Sequence, residues 1–591
     1  MLSRDACNED RLPVDPLETV LHDQILWLLP RKDLFCLCMV GTSSGLHLRH
    51  AMRKREPTTD ASSSSGCNDR TLDEFLETAY QQTCIGFQQW KYWSILLSLG
   101  VANSSDASEI LCLSYILSDA KFEEYMLREN SGGVLAAAVF FGMLVGGLFI
   151  GTLGDWFGRK PVLLVGLSCN VVAGLLSALA PTVGTMSLLR CIAGIGIGAT
   201  VPPLFTLATE IAPPSQRGLC VTICASFWMV GSIYVALAAM FILEHLGLSW
   251  RFFAVACALP SAAGAFLVQT WVPESPRFLA LGQRHPEALN TANTLAQKMT
   301  YRGSLLTLEE LVMCFPRSQH EESSRYPRSI QLLGSHQSIF SIMGTAVAEF
   351  SLSAQKLYRP QIRQTTWPLQ MVWFSLSFGS YGLVTWINTL FVEVHLKNVY
   401  FNALLFAASN LPGNILTAVW MDRVGRSTML VASVLAAATS LLLFAYCAQI
   451  LNATGVVASA CAFQCFTIAA WNVIDTLSSE LFPTTVRSTG MGVCAASGRV
   501  GAMLAQFVNG ALVGNPVRLL LVASATLVLG AMTPCLLPNG DITGQPVQDE
   551  VDAPEPLYAP LSRPANGGAR RMGDDTSYQD SPRIKATPGI V

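Results

Sequence analysis

The sequence predicts an all-α integral membrane protein with twelve transmembrane helices in two six-helix bundles. Three observations predict it. Of 591 residues, 51% are hydrophobic and only 13% charged, and the mean hydropathy of +0.40 is too apolar for a soluble chain of this size. Twelve apolar runs are each long enough to cross a bilayer. A charged cassette occurs twice, at equivalent places in the two sets of six runs.

A hydrocarbon core of about 30 Å takes roughly 20 apolar helical residues. Runs of that kind lie near residues 91–117, 132–153, 161–180, 184–207, 218–243 and 251–272, then near 367–390, 402–420, 428–449, 455–477, 489–512 and 516–537. The spans therefore group as bundles over 91–272 and 367–537. The interval 273–366 is a polar central loop, in which PEALNTANTLAQKM reads as one short helix. Residues 1–57 form an N-terminal segment, 58–90 a linker and pre-membrane segment, and 538–591 a tail rich in Pro, Gly, Asp and Arg that reads as disordered.

The first cassette is GTLGDWFGRK, holding Asp155 and Arg159, followed by Glu210-Ile-Ala-Pro-Pro-Ser-Gln-Arg217. The second is Asp422-Arg-Val-Gly-Arg426, followed by Glu480-Leu-Phe-Pro-Thr-Thr-Val-Arg487. From Asp155 to Asp422 is 267 residues and from Glu210 to Glu480 is 270, so the repeat keeps its register. A carboxylate beside a guanidinium at a helix end can close one side of a carrier and release it when the halves rock. A topogenic basic loop explains one cassette; two in register favour a gate built from these eight residues. Parallel repeats of this kind are an architecture of secondary transporters, which hold solute between the halves.

Alternation of the runs puts Arg159, Lys160, Arg217, Arg423, Arg426 and Arg487 on one side, with the basic central loop. The positive-inside rule makes that side, and both termini, cytosolic. No cleavable signal peptide precedes the first run. Asn452-Ala-Thr454 is a formal glycosylation sequon in a loop too short to favour modification. A net charge of −3 offers nothing to nucleic acid. The 17 cysteines are scattered without metal-type pairing, and nothing suggests a cofactor or a catalytic centre. GIGIG within the fourth run lacks the preceding strand of a nucleotide-binding turn. Together with Gly142, Gly146, Gly147 and Gly151 it supplies surfaces for close helix approach.

GTLGDWFGRK, the Arg190 to Gly198 run and Pro273-Glu-Ser-Pro-Arg277 resemble the major facilitator superfamily, in its sugar-porter and organic-ion branch. Ile85-Gly-Phe-Gln-Gln-Trp90, Phe227-Trp-Met-Val-Gly231, Ser249-Trp-Arg251, Leu411-Pro-Gly-Asn414 and Trp471-Asn-Val-Ile-Asp475 resemble the synaptic vesicle glycoprotein two and related-protein families, across about residues 80–538. The resemblance implies the major facilitator fold and alternating-access transport of a small solute. Two departures matter. The large luminal domain of the vesicle glycoproteins between the seventh and eighth helices is absent. The glutamines with which hexose carriers bind sugar hydroxyls have no match in the fifth run and only Gln370 in the seventh.

Ionisable groups inside a bilayer cost about 2.5–3.5 kcal/mol each and are usually functional or paired. The first run holds Asn103, Asp106 and Glu109, the fourth Arg190, the tenth Asp475 and the eleventh Arg499, whereas all eight histidines fall outside the runs. The resemblance implies that helices 1, 4, 7 and 10 line the cavity, so that Asp106, Glu109, Arg190 and Asp475 face it, with an ion-pair network for packing as the alternative. It also implies that helix 1 carboxylates carry protons and that a cation in helix 11, here Arg499, receives an organic anion. The substrate cavity is therefore expected to hold Trp228, Trp373, Tyr381, Trp471, Asp475 and Arg499, and coupling to use Asp106, Glu109 and Arg190. Aromatic walls with a few charges suit a flat or amphipathic organic ion.

The expected function is secondary active transport of a small organic solute, leaning to an organic anion and coupled to protons, in the plasma membrane or an endomembrane vesicle. Alternatives are a sugar transporter and a non-transporting vesicle-type regulator or ligand-binding protein. Leu29-Pro-Arg-Lys-Asp-Leu34 resembles part of an F-box, which implies a Skp-type adaptor as partner; an amphipathic cytosolic helix pair is the simpler reading.

Overall fold

The computed structural model describes residues 71–81, 90–119, 121–122, 131–315, 351–352, 354–482 and 486–537. The F-box-like segment and the tail lie outside the described residues, as do the side chains of Asp155 and Asp422. Among the described residues the regular structure is helical, without strands.

Six membrane helices form each half. The first half holds α1 (Trp90–Leu117), α2 (Gly132–Ile150), α3 (Arg159–Ala178), α4 (Val183–Ile211), α5 (Pro214–His245) and α6 (Trp250–Trp271). The second holds α7 (Pro360–Glu393), α8 (Val399–Met421), α9 (Arg426–Gln449), α10 (Ala453–Leu481), α11 (Thr489–Leu512) and α12 (Pro516–Leu536). Ten of the twelve are long and apolar enough to cross a membrane by composition alone. The other two are α1 and α7, whose buried serines, asparagines and carboxylates lower their hydropathy. A helix that faces a polar cavity needs fewer apolar residues than one that faces lipid. His245, placed beyond the fifth run by sequence, is the last residue of α5 and stacks on Phe241.

Between the halves, α2 packs on α11 and α5 on α8, while α1 meets α7. Exchanging the halves turns α2 into α8 and α11 into α5, so the first two contacts are the same contact seen twice. That is the signature of parallel repeats about a central axis. Within the first half, α2 and α4 approach at Gly142 and Gly194, where an added Cβ would meet the backbone of the facing helix.

Two features at the cassette end depart from the sequence reading. Residues 58–90 contain a helix, Leu72–Gln81, whose Phe75, Leu76 and Ala79 are buried against the first half. Among its described residues the central loop holds Pro276–Leu281, His285–Lys298 and Leu308–Cys314, where one short helix was expected, and residues 351–352 and 354–357 are helical as well. Leu295, Met299 and Tyr301 belong to the same apolar cluster as Phe75. Both elements are amphipathic and pack on a surface that the bilayer leaves uncovered, which periodicity alone does not reveal. At the other end, the Asn452 side chain accepts from Gly455 N and caps α10, so the sequon asparagine already has a structural task.

Candidate solute-binding site

Helices α1, α2, α4, α5, α7, α8, α10 and α11 line a cavity of 520 Å³ between the halves, a size suited to a small organic molecule. Its charged lining residues are Asp106, Asp475 and Arg499. On α1, Asp106 accepts hydrogen bonds from Thr200 Oγ1 at 2.9 Å and from Ser105 Oγ at 3.4 Å. On α10, Asp475 is exposed in the cavity. Arg499 of α11 lies 5.4 Å from the centre of the Tyr381 ring and acts electrostatically on both carboxylates.

Aromatic rings form the wall beside these charges. Tyr381 lies 5.6 Å from Trp471 and 6.5 Å from Trp228, and all three line the cavity. The indole N–H of Trp471 donates to Ser380 Oγ at 3.2 Å, which fixes the ring on α7. Trp373 does not line the cavity. It packs edge-on against Trp471 at 5.4 Å and donates to Ser478 Oγ at 3.0 Å, so it supports the wall from behind.

Glu109 and Arg190, expected to face the cavity, likewise stand outside its lining. They form an ion pair at 2.7 Å with side chains 0% and 1% exposed, and neither lines the cavity. The reason is helical geometry. Each step of three residues falls about 60° short of a full turn, so Glu109 stands about 120° round α1 from Asn103. It points toward Gly174 of α3 and Ala258 of α6 instead. Cys112 also meets Arg190 Nη1 at 3.1 Å. Glu109 Oε1 and Arg190 Nε and Nη2 have no hydrogen-bond partner among the described residues.

Sequence reasoning missed the amides. Gln464 Nε2 donates to Asn410 Oδ1 at 2.8 Å and Asn472 Nδ2 to Asn414 Oδ1 at 2.9 Å, and all four residues line the cavity between α8 and α10. Four amides inside apolar spans were the available signal. Away from the cassettes the halves touch beside the cavity, where Asn388 Nδ2 of α7 donates to Ser114 Oγ at 3.1 Å and Tyr115 stacks on Tyr400. In the other direction the lining continues to Phe205, Val221, Met421 and Thr476, near the cassettes.

The cassettes fold alike. Arg159 Nε lies 3.3 Å from Glu210 and Arg426 Nε lies 2.8 Å from Glu480, so each arginine, at the start of α3 or α9, pairs with the glutamate one residue from the end of the following helix. Gly158 and Gly425, before these arginines, take φ of 107° and 93°, a region closed to most side chains. The first cassette has extra partners. Glu274 accepts from the backbone N–H groups of Arg159 and Lys160 and so caps α3. Burial pushes its carboxyl above the usual range, against those hydrogen bonds. Arg217 pairs with Asp73 of the pre-membrane helix at 2.8 Å. Arg487, its counterpart, donates to Phe482 O at 3.3 Å.

The family model described as Major Facilitator Superfamily matches residues 99–506 and 401–564. Among curated relatives, the Synaptic vesicle 2-related protein of Xenopus laevis is 28% identical over 479 residues, 77% of this chain and 79% of its own. Synaptic vesicle glycoprotein 2C of Rattus norvegicus is 25% identical over 580 residues, 76% of this chain and 78% of its own. Among solved structures, the inward open conformation of the xylose transporter XylE from E. coli aligns with a TM-score of 0.57 at 17% identity, covering 77% of this chain and 98% of that one.

Proposed function

The chain belongs to the major facilitator superfamily, and from that premise we propose that it is a proton-coupled carrier of a small organic solute bearing an anionic group. The observation that carries this reading is the cavity. It lies between two repeats, is lined by both, and holds an arginine and two aspartates where a bilayer-spanning protein would otherwise be apolar. Charges are kept at that depth for function or for pairing. Arg499 makes no hydrogen bond among the described residues and so has its planar donor face available to a carboxylate.

Alternating access follows from the ends of the cavity. Closure by Ser114–Asn388 and Tyr115–Tyr400 joins the halves at one end. The Arg159–Glu210 and Arg426–Glu480 pairs, with the turns of Asp155 and Asp422, stand at the other. Rocking the halves trades one closure for the other. On the positive-inside rule the cassette end and both termini are cytosolic. Glu109 is the proposed proton carrier, with Asp106 as the alternative. A proton added to Glu109 weakens its grip on Arg190, which links α1 to α4 and so couples charge to the packing of the first half.

A second reading, a neutral sugar, is favoured by the amide pairs of α8 and α10, which offer donors and acceptors to hydroxyl groups. Uptake by reconstituted vesicles, from a panel of carboxylates, amines and sugars and with or without an imposed pH gradient, separates the two. Accumulation of a carboxylate driven by the gradient is expected. Uptake of sugars alone overturns the anionic reading, and no uptake of any solute favours a binding or regulatory protein instead.

A further inference from the structure

We propose that the cavity selects a zwitterionic organic solute, holding its carboxylate on Arg499 and its ammonium group on Asp475. The inference rests on the carrier reading above and narrows its substrate class.

The three charged groups of the cavity are not equivalent. Asp106 has two hydroxyl groups beside it, Thr200 Oγ1 at 2.9 Å and Ser105 Oγ at 3.4 Å, each also 2.7 Å from a carbonyl of its own helix. Asp475 accepts no hydrogen bond among the described residues and is exposed in the cavity. Arg499 makes only the ring contact with Tyr381, and no carboxylate comes within 4.0 Å of it among the described residues. One acid and one base thus face the same 520 Å³ space with their hydrogen-bonding capacity unused and without pairing directly.

Each simpler ligand leaves one of them unanswered. A pure anion satisfies Arg499 and is repelled by Asp475. A pure cation does the reverse, and a neutral solute leaves the acid and the base with only each other's charge at a distance and no direct partner. A molecule carrying both signs answers both. The surroundings fit such a molecule. Trp471 and Asp475 are four residues apart on α10, so the indole and the carboxylate share one face of the helix. An ammonium group bound at Asp475 therefore lies beside an aromatic ring able to attract it. Tyr381 touches both Trp471 and Arg499, and so forms the floor between the two charged ends.

The test is a binding ladder on the purified full chain, read by calorimetry. It uses phenylalanine, its deaminated analogue 3-phenylpropionate, its decarboxylated analogue phenethylamine, leucine as an aliphatic zwitterion, and glucose. At least one zwitterion is expected to bind tenfold or more tighter than either single-charge analogue. Asp475→Asn should bring 3-phenylpropionate level with phenylalanine, and Arg499→Gln should do the same for phenethylamine. A wild-type chain that binds a single-charge analogue or glucose as tightly as both zwitterions overturns the proposal, whether or not the variants fold. Vesicle uptake tests the underlying reading separately. Flux of glucose without zwitterion binding keeps the carrier and overturns the charge assignment, whereas zwitterion binding without flux of any solute keeps the assignment and overturns the carrier.

Discussion

Asp106 and Glu109 stand three residues apart on α1, yet one lines the cavity and the other is sealed against Arg190. Their substitutions should therefore separate. Glu109→Gln keeps the shape and one acceptor for Arg190 but cannot carry a proton. It is expected to abolish gradient-driven accumulation in reconstituted vesicles while leaving downhill exchange within about threefold of wild type, because the acceptor bond to Arg190 survives. Accumulation that persists in this variant moves coupling to Asp106. A second residue-scale prediction concerns the turn glycines. Alanine in such a conformation costs on the order of 1–3 kcal/mol, and at Gly158 the new Cβ also meets the Glu274 carboxylate. Gly158→Ala should lower the thermal midpoint of the purified protein, and an unchanged midpoint would show that the turn and Glu274 yield without cost. At this scale the sequence revealed which residues are polar inside the membrane but not which way they point. A rotation of 100° per residue separates Asn103 from Glu109 by a third of a turn, and Trp373 from the cavity by the thickness of Trp471.

At the scale of elements, the repeated cassette was the most legible part of the chain, because the same spacing met the same turn twice. The Arg–Glu pairs and the positive φ of Gly158 and Gly425 all recur between the halves. The pre-membrane helix was not legible, since its partner Arg217 lies 144 residues downstream of Asp73. The amide pairs of α8 and α10 were hidden for a related reason, as their meaning depends on how two helices are rotated against each other. The pairs at the cassettes lie beyond the charged groups of the cavity, which sets their expected signature. Arg426→Ala removes the partner of Glu480 without touching Arg499 or Asp475. Turnover in vesicles should fall tenfold or more, with solute affinity changed less than threefold, because the substitution alters conformational populations rather than contacts. An affinity loss as large as the turnover loss would place Arg426 in solute binding instead.

For the whole molecule, the two halves meet through one contact repeated by the pseudo-symmetry and through a closure that the symmetry does not repeat. The α2–α11 and α5–α8 packings are interchangeable, so they can serve as the bearing on which the halves rock. The Ser114–Asn388 hydrogen bond and the Tyr115–Tyr400 stack exist only at the end away from the cassettes, and they bias the molecule toward the state seen here. Removing a net hydrogen bond of this type costs about 1 kcal/mol, which corresponds to about a fivefold change in a two-state ratio. Asn388→Ala is therefore expected to raise the share of molecules open at that end by about fivefold. A cysteine introduced at Ile387, a cavity-lining position one residue before the closure, reports it. Its labelling by a membrane-impermeant maleimide, applied from the side away from the cassettes and corrected for the chain without the added thiol, should accelerate by a similar factor in the Asn388→Ala background. The Tyr115–Tyr400 stack remains in that variant, so the acceleration should be partial, and adding Tyr400→Ala should increase it further. Labelling that is unchanged by both substitutions would mean that these contacts do not hold the closed end, and that the bearing helices alone set the balance between the two states.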